Sequence, residues 1–254
     1  ATRDLLLLLW QSVDKGAFRE TRRARTQSMV KTYLRYSPSA SWGVVVSGSG
    51  HIAIDPSGRL AIAPALESVI VWNIKQGTAT QRLQPEGSSS EVTALELAPD
   101  GDNLAVGHAD GSIRLWRLSD GEERVKLSGH SSAVSSLRFS RAAALLLSGS
   151  LDTHVIVWDV VAETGLCRLR GHRGPVTDVC HLEARGAIAS VGKDGLLKLW
   201  DMHTQHCVQT AAAPSNELWS VDADEGCERL LTGGAGAEVL VWSLEERQAA
   251  EERP

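Results

Sequence analysis

The sequence runs to 254 residues, of which 43% are apolar, enough to bury a sizeable core and to exclude a disordered chain. Twenty-six basic residues against 31 acidic give a net charge of −5, and beyond the first 31 positions the basic residues do not cluster along the chain, so the linear sequence predicts no polyanion partner. Four cysteines without a C-x-x-C pair are too sparse for a disulfide framework and predict a reducing compartment.

Near the start the longest apolar stretch, Leu5 to Trp10, is far shorter than the roughly 20 residues a spanning helix needs, so no membrane partner is expected. Asp4 and Asp14 on either side also make it a poor signal-peptide core. Residues 1–31 carry Arg3, Lys15, Arg19, Arg22, Arg23, Arg25 and Lys31 against Asp4, Asp14 and Glu20, a basic head on an otherwise acidic chain. Two readings compete: an arginine-rich targeting segment, or sequence lying upstream of a natural start at Met29. The second is preferred, which makes residues 1–28 an extension expected to be disordered or non-native.

Eight of the twelve aromatic residues are Trp. From Trp72 they recur at Trp116, Trp158, Trp200 and Trp242, in steps of 44, 42, 42 and 42, each closing a short alternating run such as S-V-I-V-W or L-L-K-L-W. Such alternation is the signal of a half-buried strand, and a step of about 40–45 is the period of a four-stranded propeller blade. One unit shows the expected anatomy: after Gly129-His130, strands over Ala133 to Phe139, Leu145 to Ser150, Val155 to Asp159 and Leu166 to Leu169, before the next Gly171-His172. Pro99-Asp100-Gly101, Asp110-Gly111 and Asp194-Gly195 supply the turns between strands. The blades are placed over 29–244 and a charged exit segment over 245–254.

In two units the same residue types stand at the same offsets: His130, Ser148, Asp152 and Trp158, then His172, Ser190, Asp194 and Trp200. These residues resemble those of the WD-repeat family, and the resemblance implies an all-β propeller in which indole, hydroxyl, imidazole and carboxylate form one buried chain. A catalytic Ser-His-Asp reading is disfavoured because a nucleophile must be exposed beside an oxyanion site. Other units are degraded: Gly87-Ser88 and Ala213-Pro214 stand where Gly-His belongs, Val106 replaces the serine and Gly236 the turn Asp, so packing is expected to hold those blades. His203-x-x-His206-Cys207 has the residue types of a zinc site but no second ligand pair, so no metal is expected. No phosphate-binding loop is present, Gly48-Ser49-Gly50 being a lone turn signal, and no cofactor is expected.

Tyr33-Leu34-Arg35-Tyr36, Ala105 to Trp116, Ile156 to Leu169 and Thr204 to Cys207 are similar to the amino-terminal propeller of the Utp12/Dip2 family, nucleolar subunits of the UtpB subcomplex. The resemblance implies a scaffold of the small-subunit processome, with other WD-repeat and processome proteins as partners, indirect or weak contact with pre-rRNA and small nucleolar RNA, and a place in the nucleolus. Whole family members carry two tandem propellers and a helical domain. Two rival functions remain: a substrate receptor of a cullin-type ubiquitin ligase, which usually shows an Arg shortly after Trp-Asp that is lacking after Trp158-Asp159 and Trp200-Asp201, and a signalling scaffold of G-protein β type.

A partner-binding rim is expected from the residues before each turn Asp and after each Gly-His equivalent: Ser89, Glu91, Ala109, Ser131, Leu151, Arg173, Pro175, Lys193, Ser215, Glu217 and Ala235. Met29 to Pro254 holds only about five units at a step of 42, so about five four-stranded blades are expected, as an incomplete part of a seven-bladed propeller. Closure into a five-bladed ring and completion by another chain are the alternatives.

Overall fold

The computed structural model of the chain describes residues 39–41, 43, 50–85, 87 and 90–243. The extension expected over 1–28, the charged exit at 245–254 and the rim residue Ser89 lie outside the described residues. Of two compact units, Ala1–Ser41 and Trp42–Pro254, the second holds every described strand.

Nineteen described strands form five antiparallel sheets in chain order. Sheet one is β1 (Ala53–Ile54), β2 (Leu60–Ala65), β3 (Ser68–Asn73) and β4 (Thr78–Leu83). Sheet two is β5 (Val92–Leu97), β6 (Asn103–His108), β7 (Ile113–Arg117) and β8 (Glu123–Leu127). Sheet three is β9 (Val134–Phe139), β10 (Leu145–Ser150), β11 (His154–Asp159) and β12 (Thr164–Arg170), within two residues of the expected bounds at every end. Sheet four is β13 (Val176–Leu182), β14 (Ala187–Gly192), β15 (Leu196–Asp201) and β16 (Cys207–Ala212), with one 3-10 turn at Glu183–Arg185. Sheet five is β17 (Leu218–Ala223), β18 (Arg229–Gly234) and β19 (Leu240–Ser243).

Sheets one to four have four strands each, as expected, and the fifth shows β17 to β19 among the described residues, which end at Ser243. A step of 42 from β16 falls on 249–254, outside the described residues. The sheet that contains Trp72 is four-stranded with a two-residue first strand. The sheets pack face to face in sequence, each innermost strand against the next, and no comparable packing joins the fifth to the first among the described residues, so the series is open rather than a closed ring.

The cores lie between sheets, not within them. Val69, Val71 and Leu83 of sheet one pack with Leu95, Leu104 and Trp116 of sheet two. Leu115 and Leu127 meet Leu137, Leu146 and Trp158 across the next boundary, and Val157 and Leu169 meet Val179, Ile188 and Trp200 across the third. The third strands of sheets two and three are consequently buried on both faces: β7 and β11 each have four buried residues in a row, where the alternation of the β11 sequence predicts one wet face. Their outer neighbour strands are far more exposed, as in most of β12. Each pairing of third with fourth strand slips register immediately before the Trp, at Val71/Trp72, Leu115/Trp116, Val157/Trp158 and Leu199/Trp200. Such a bulge re-aims one side chain.

The turns between second and third strands show the repeat at the level of a single dihedral. Gly111, Thr153 and Gly195 are 42 residues apart and have φ of 85°, 71° and 68°. Two are glycine, as the left-handed region favours, whereas Thr153 is β-branched and adopts that conformation at a cost of about 1–2 kcal/mol. Thr153→Gly is expected to stabilise the protein by about 0.5–1 kcal/mol after the backbone-entropy cost of glycine, seen as a higher urea midpoint at unchanged m. A lower midpoint would mean that the Thr153 side chain supplies more than its strain removes.

Candidate functional site

In sheet three the Trp158 indole donates to Ser148 Oγ at 2.8 Å, Ser148 Oγ lies 2.8 Å from His130 Nε2, and His130 Nδ1 lies 3.0 Å from Asp152 Oδ2. Sheet four repeats it: Trp200 to Ser190 at 2.8 Å, Ser190 to His172 at 2.8 Å and His172 to Asp194 at 3.0 Å. With the indole N–H donating to the serine oxygen, the serine O–H is directed to Nε2 and the Nδ1–H to the carboxylate. Every donor then has an acceptor.

The carboxylates also organise backbone. Asp152 accepts from the amides of Ser131 and His154, at 2.9 and 3.0 Å, and Asp194 from those of Arg173 and Leu196, at 2.9 and 3.2 Å. Each set thus ties the loop entering a sheet to the turn between its second and third strands. Ser148 and Ser190 are both 0% exposed and each is occupied by an indole, so these Ser-His-Asp sets present no nucleophile to a substrate.

Residues 59–244 match the family described as the WDR3 first beta-propeller domain. The chain belongs to that family. Human WD repeat-containing protein 3 is 43% identical over 94 residues, 35% of this chain and 10% of the human protein. U3 small nucleolar RNA-associated protein 12 of Saccharomyces cerevisiae is 38% identical over 109 residues, 35% of this chain and 12% of the yeast protein. The chain thus spans about a tenth of the length of these relatives. The crystal structure of the RRP9 WD40 repeats shares the fold, with a TM-score of 0.72 at 24% identity over 80% of this chain and 62% of that one.

Within this WDR3-type propeller the degraded sheets are held by more than the packing predicted for them. In sheet two His108 is buried and its Nδ1–H donates to the Ser90 carbonyl at 2.9 Å, tying the entering loop to β6 without the missing Gly-His pair. Its turn residue Asp110 accepts from the Ser112 amide and hydroxyl at 2.9 and 2.7 Å. In sheet five Thr232, 0% exposed, stands 42 residues beyond Ser190 and accepts from the Trp242 indole at 2.9 Å. That substitution was open to a reading at the repeat step, because threonine keeps the hydroxyl. His108 was not, since no other sheet has a histidine there.

A second series of hydroxyls joins the innermost strands. Thr93 donates to the Val134 carbonyl at 2.7 Å, Ser135 to that of Val176 at 2.6 Å and Thr177 to that of Leu218 at 2.6 Å, always to the following sheet. Asp178 reaches the same way, accepting from Ser220 Oγ and the Val221 amide at 3.1 and 3.0 Å.

The expected rim residues fall at one end of the sheets and are paired by backbone bonds: Ala109 N to Glu91 O, Lys193 N to Pro175 O and Ala235 N to Glu217 O. Glu91, Ala109, Ser131, Leu151, Arg173, Lys193 and Ala235 are exposed, and Pro175, Ser215 and Glu217 half-buried. His203, His206 and Cys207 are exposed around a turn in which Asp201 accepts from the His203 amide and the Thr204 hydroxyl.

Burial holds His130 and His172 below the ordinary histidine range, against the opposing pull of Asp152 and Asp194. Burial also works to raise the two carboxyls, but the Ser131 and Arg173 amides and the facing imidazoles outweigh it and hold both below the usual range. His108 and His181 are likewise lowered, chiefly by burial. The imidazoles are therefore neutral in the fold, and the unfolded chain takes up protons that the fold resists. Their contribution is complete above the unfolded value, about 6.5, and declines as pH falls below it. The urea midpoint is expected to drop between about pH 7 and pH 5, and less steeply for His130→Asn/His172→Asn. Parallel pH profiles would show that these imidazoles do not set the slope.

Asp152→Ala or Asp194→Ala leaves a buried imidazole N–H and two amides without an acceptor, at an expected cost of about 1–3 kcal/mol each, against near zero for the exposed Lys75→Ala. Melting temperatures equal to that of Lys75→Ala would contradict a buried, interdependent set.

Proposed function

We propose that the chain is a non-catalytic platform for protein contacts in the assembly of the small ribosomal subunit, acting in the nucleolus beside other WD-repeat and processome proteins. The observation that carries this reading is the family match over residues 59–244, supported by a yeast relative named for its association with U3 small nucleolar RNA. The repeated polar sets are committed to holding loops, so their chemistry is that of a scaffold. The loops they hold form the rim, whose cations Arg173 and Lys193 sit together on sheet four and are both exposed. Weak or indirect contact with pre-rRNA and small nucleolar RNA belongs to the same reading.

Tagged chain expressed in cells is expected to co-purify small-subunit processome proteins and to concentrate in nucleoli. Arg173→Ala/Lys193→Ala should weaken that co-purification and flatten its dependence on salt while leaving the melting temperature unchanged. Normal recovery and salt dependence in the double variant would move the contact away from these two side chains. A chain distributed through the cytoplasm without processome proteins, or a turnover activity abolished by Ser148→Ala, would overturn the reading itself.

A further inference from the structure

Folding places at one homologous position on the outer strands of three sheets a set of cations that the linear sequence disperses. In each complete sheet the fourth strand is the one farthest from the innermost strands that pack together. Arg82, Lys126 and Arg168 take the same place on β4, β8 and β12, each opposite the residue two before the sheet's Trp: Ile70, Arg114 and Ile156. All three are exposed, and Arg124 and Arg170 add an exposed cation each on β8 and β12.

The sole carboxylate on these three strands, Glu123, is taken by the buried Arg114 at 2.7 Å. None of the five outer cations forms an ion pair among the described residues. Their bonds run to neutral oxygens: Arg82 Nε to Ser68 Oγ at 3.2 Å, Arg124 to Asn103 Oδ1 at 3.3 Å, and Arg168 to the Gly129 carbonyl. Such bonds orient a guanidinium without neutralising it. The stripe ends at sheet four, where β16 reads C-V-Q-T-A-A and Thr210 fills the homologous place.

We propose that the outer edge of sheets one to three binds the phosphate backbone of single-stranded RNA without reading its sequence, an inference that rests on the assembly role proposed above. Five exposed cations on the outer strands of three sheets, none in an ion pair within 4.0 Å among the described residues and only Arg124 acting on a nearby carboxylate, that of Asp100, are placed to displace counterions from a polyanion. The recurrence of the charge at one homologous place per sheet suits a polymer of evenly spaced charge better than a compact acidic protein surface. β4, β8 and β12 contain no aromatic residue, so they offer no platform for base stacking, and the contact is electrostatic.

The test is fluorescence anisotropy of a labelled mixed-sequence RNA with the full chain, at salt between about 50 and 200 mM. Arg82→Ala/Lys126→Ala/Arg168→Ala is expected to weaken binding at least about tenfold and to make the slope of log K against log[salt] shallower by about 2, at roughly 0.7 per lost phosphate contact. Arg59→Ala/Lys75→Ala/Arg229→Ala removes the same charge from exposed positions off the edge, and should change affinity by less than about twofold. A scrambled RNA should bind equally well. Equal losses in the two triple variants, measurable only if both melt as the parent does, would overturn the proposal. Tighter binding to polyglutamate than to RNA would also overturn it, in favour of an acidic protein partner. Because the measurement uses purified chain, its failure leaves the co-purification result of the assembly role standing.

Discussion

Every sheet here has two apolar faces and can be covered only by its neighbours. That requirement explains why the fold is a series, and why its cores lie at boundaries where the Trp of one sheet meets the outer leucine of the one before: Leu83 with Trp116, Leu127 with Trp158, Leu169 with Trp200. A sheet taken alone would expose both faces, so no unit is stable without the next. Removing a boundary Trp would open a cavity worth about 3–5 kcal/mol between two sheets at once.

The polar sets serve the same requirement from within. Trp158 is wide enough to fill a boundary, but its indole N–H must then be buried, and Ser148 satisfies it. The serine hydroxyl needs a partner in turn, which leads to His130, and the imidazole to Asp152 at the solvent margin. The chain of donors runs outward until it reaches a group that water and backbone amides can share. Thr232 in sheet five shows the minimum, one hydroxyl for one indole. Sheet two, with Val106 in place of the serine, fastens its entering loop by His108 instead.

Much of this was legible in the sequence because it repeats. From Trp116 onward the Trp step, the turn glycines at 111 and 195 and the two complete polar sets recur at a spacing of 42 or its double, and the structure places each as that spacing predicts. What was not legible depends on neighbours in space. Alternation in V-I-V-W looks half-buried, yet β11 is covered on both sides because sheets lie against both its faces, a fact that strand-level periodicity cannot carry. Arg82, Lys126 and Arg168 look dispersed along the chain, and only the register of each fourth strand on the third strand of its own sheet puts them at one homologous place. His108 and Asp178 each act in a single sheet, so repetition gives no signal for them.

The hydroxyl series on the innermost strands bears on how such a chain is made. Thr93, Ser135 and Thr177 each reach a carbonyl 41 residues further on, and Arg185 reaches that of Cys227, 42 further on. The ion pair of Arg138 with Asp222, 3.9 Å apart, skips over a sheet. Ties of one repeat length mean that a sheet leaving the ribosome can be locked as soon as the next has emerged, without waiting for a distant segment. The order of synthesis is then also an order in which the structure can be completed, each new sheet covering the open face of the one before.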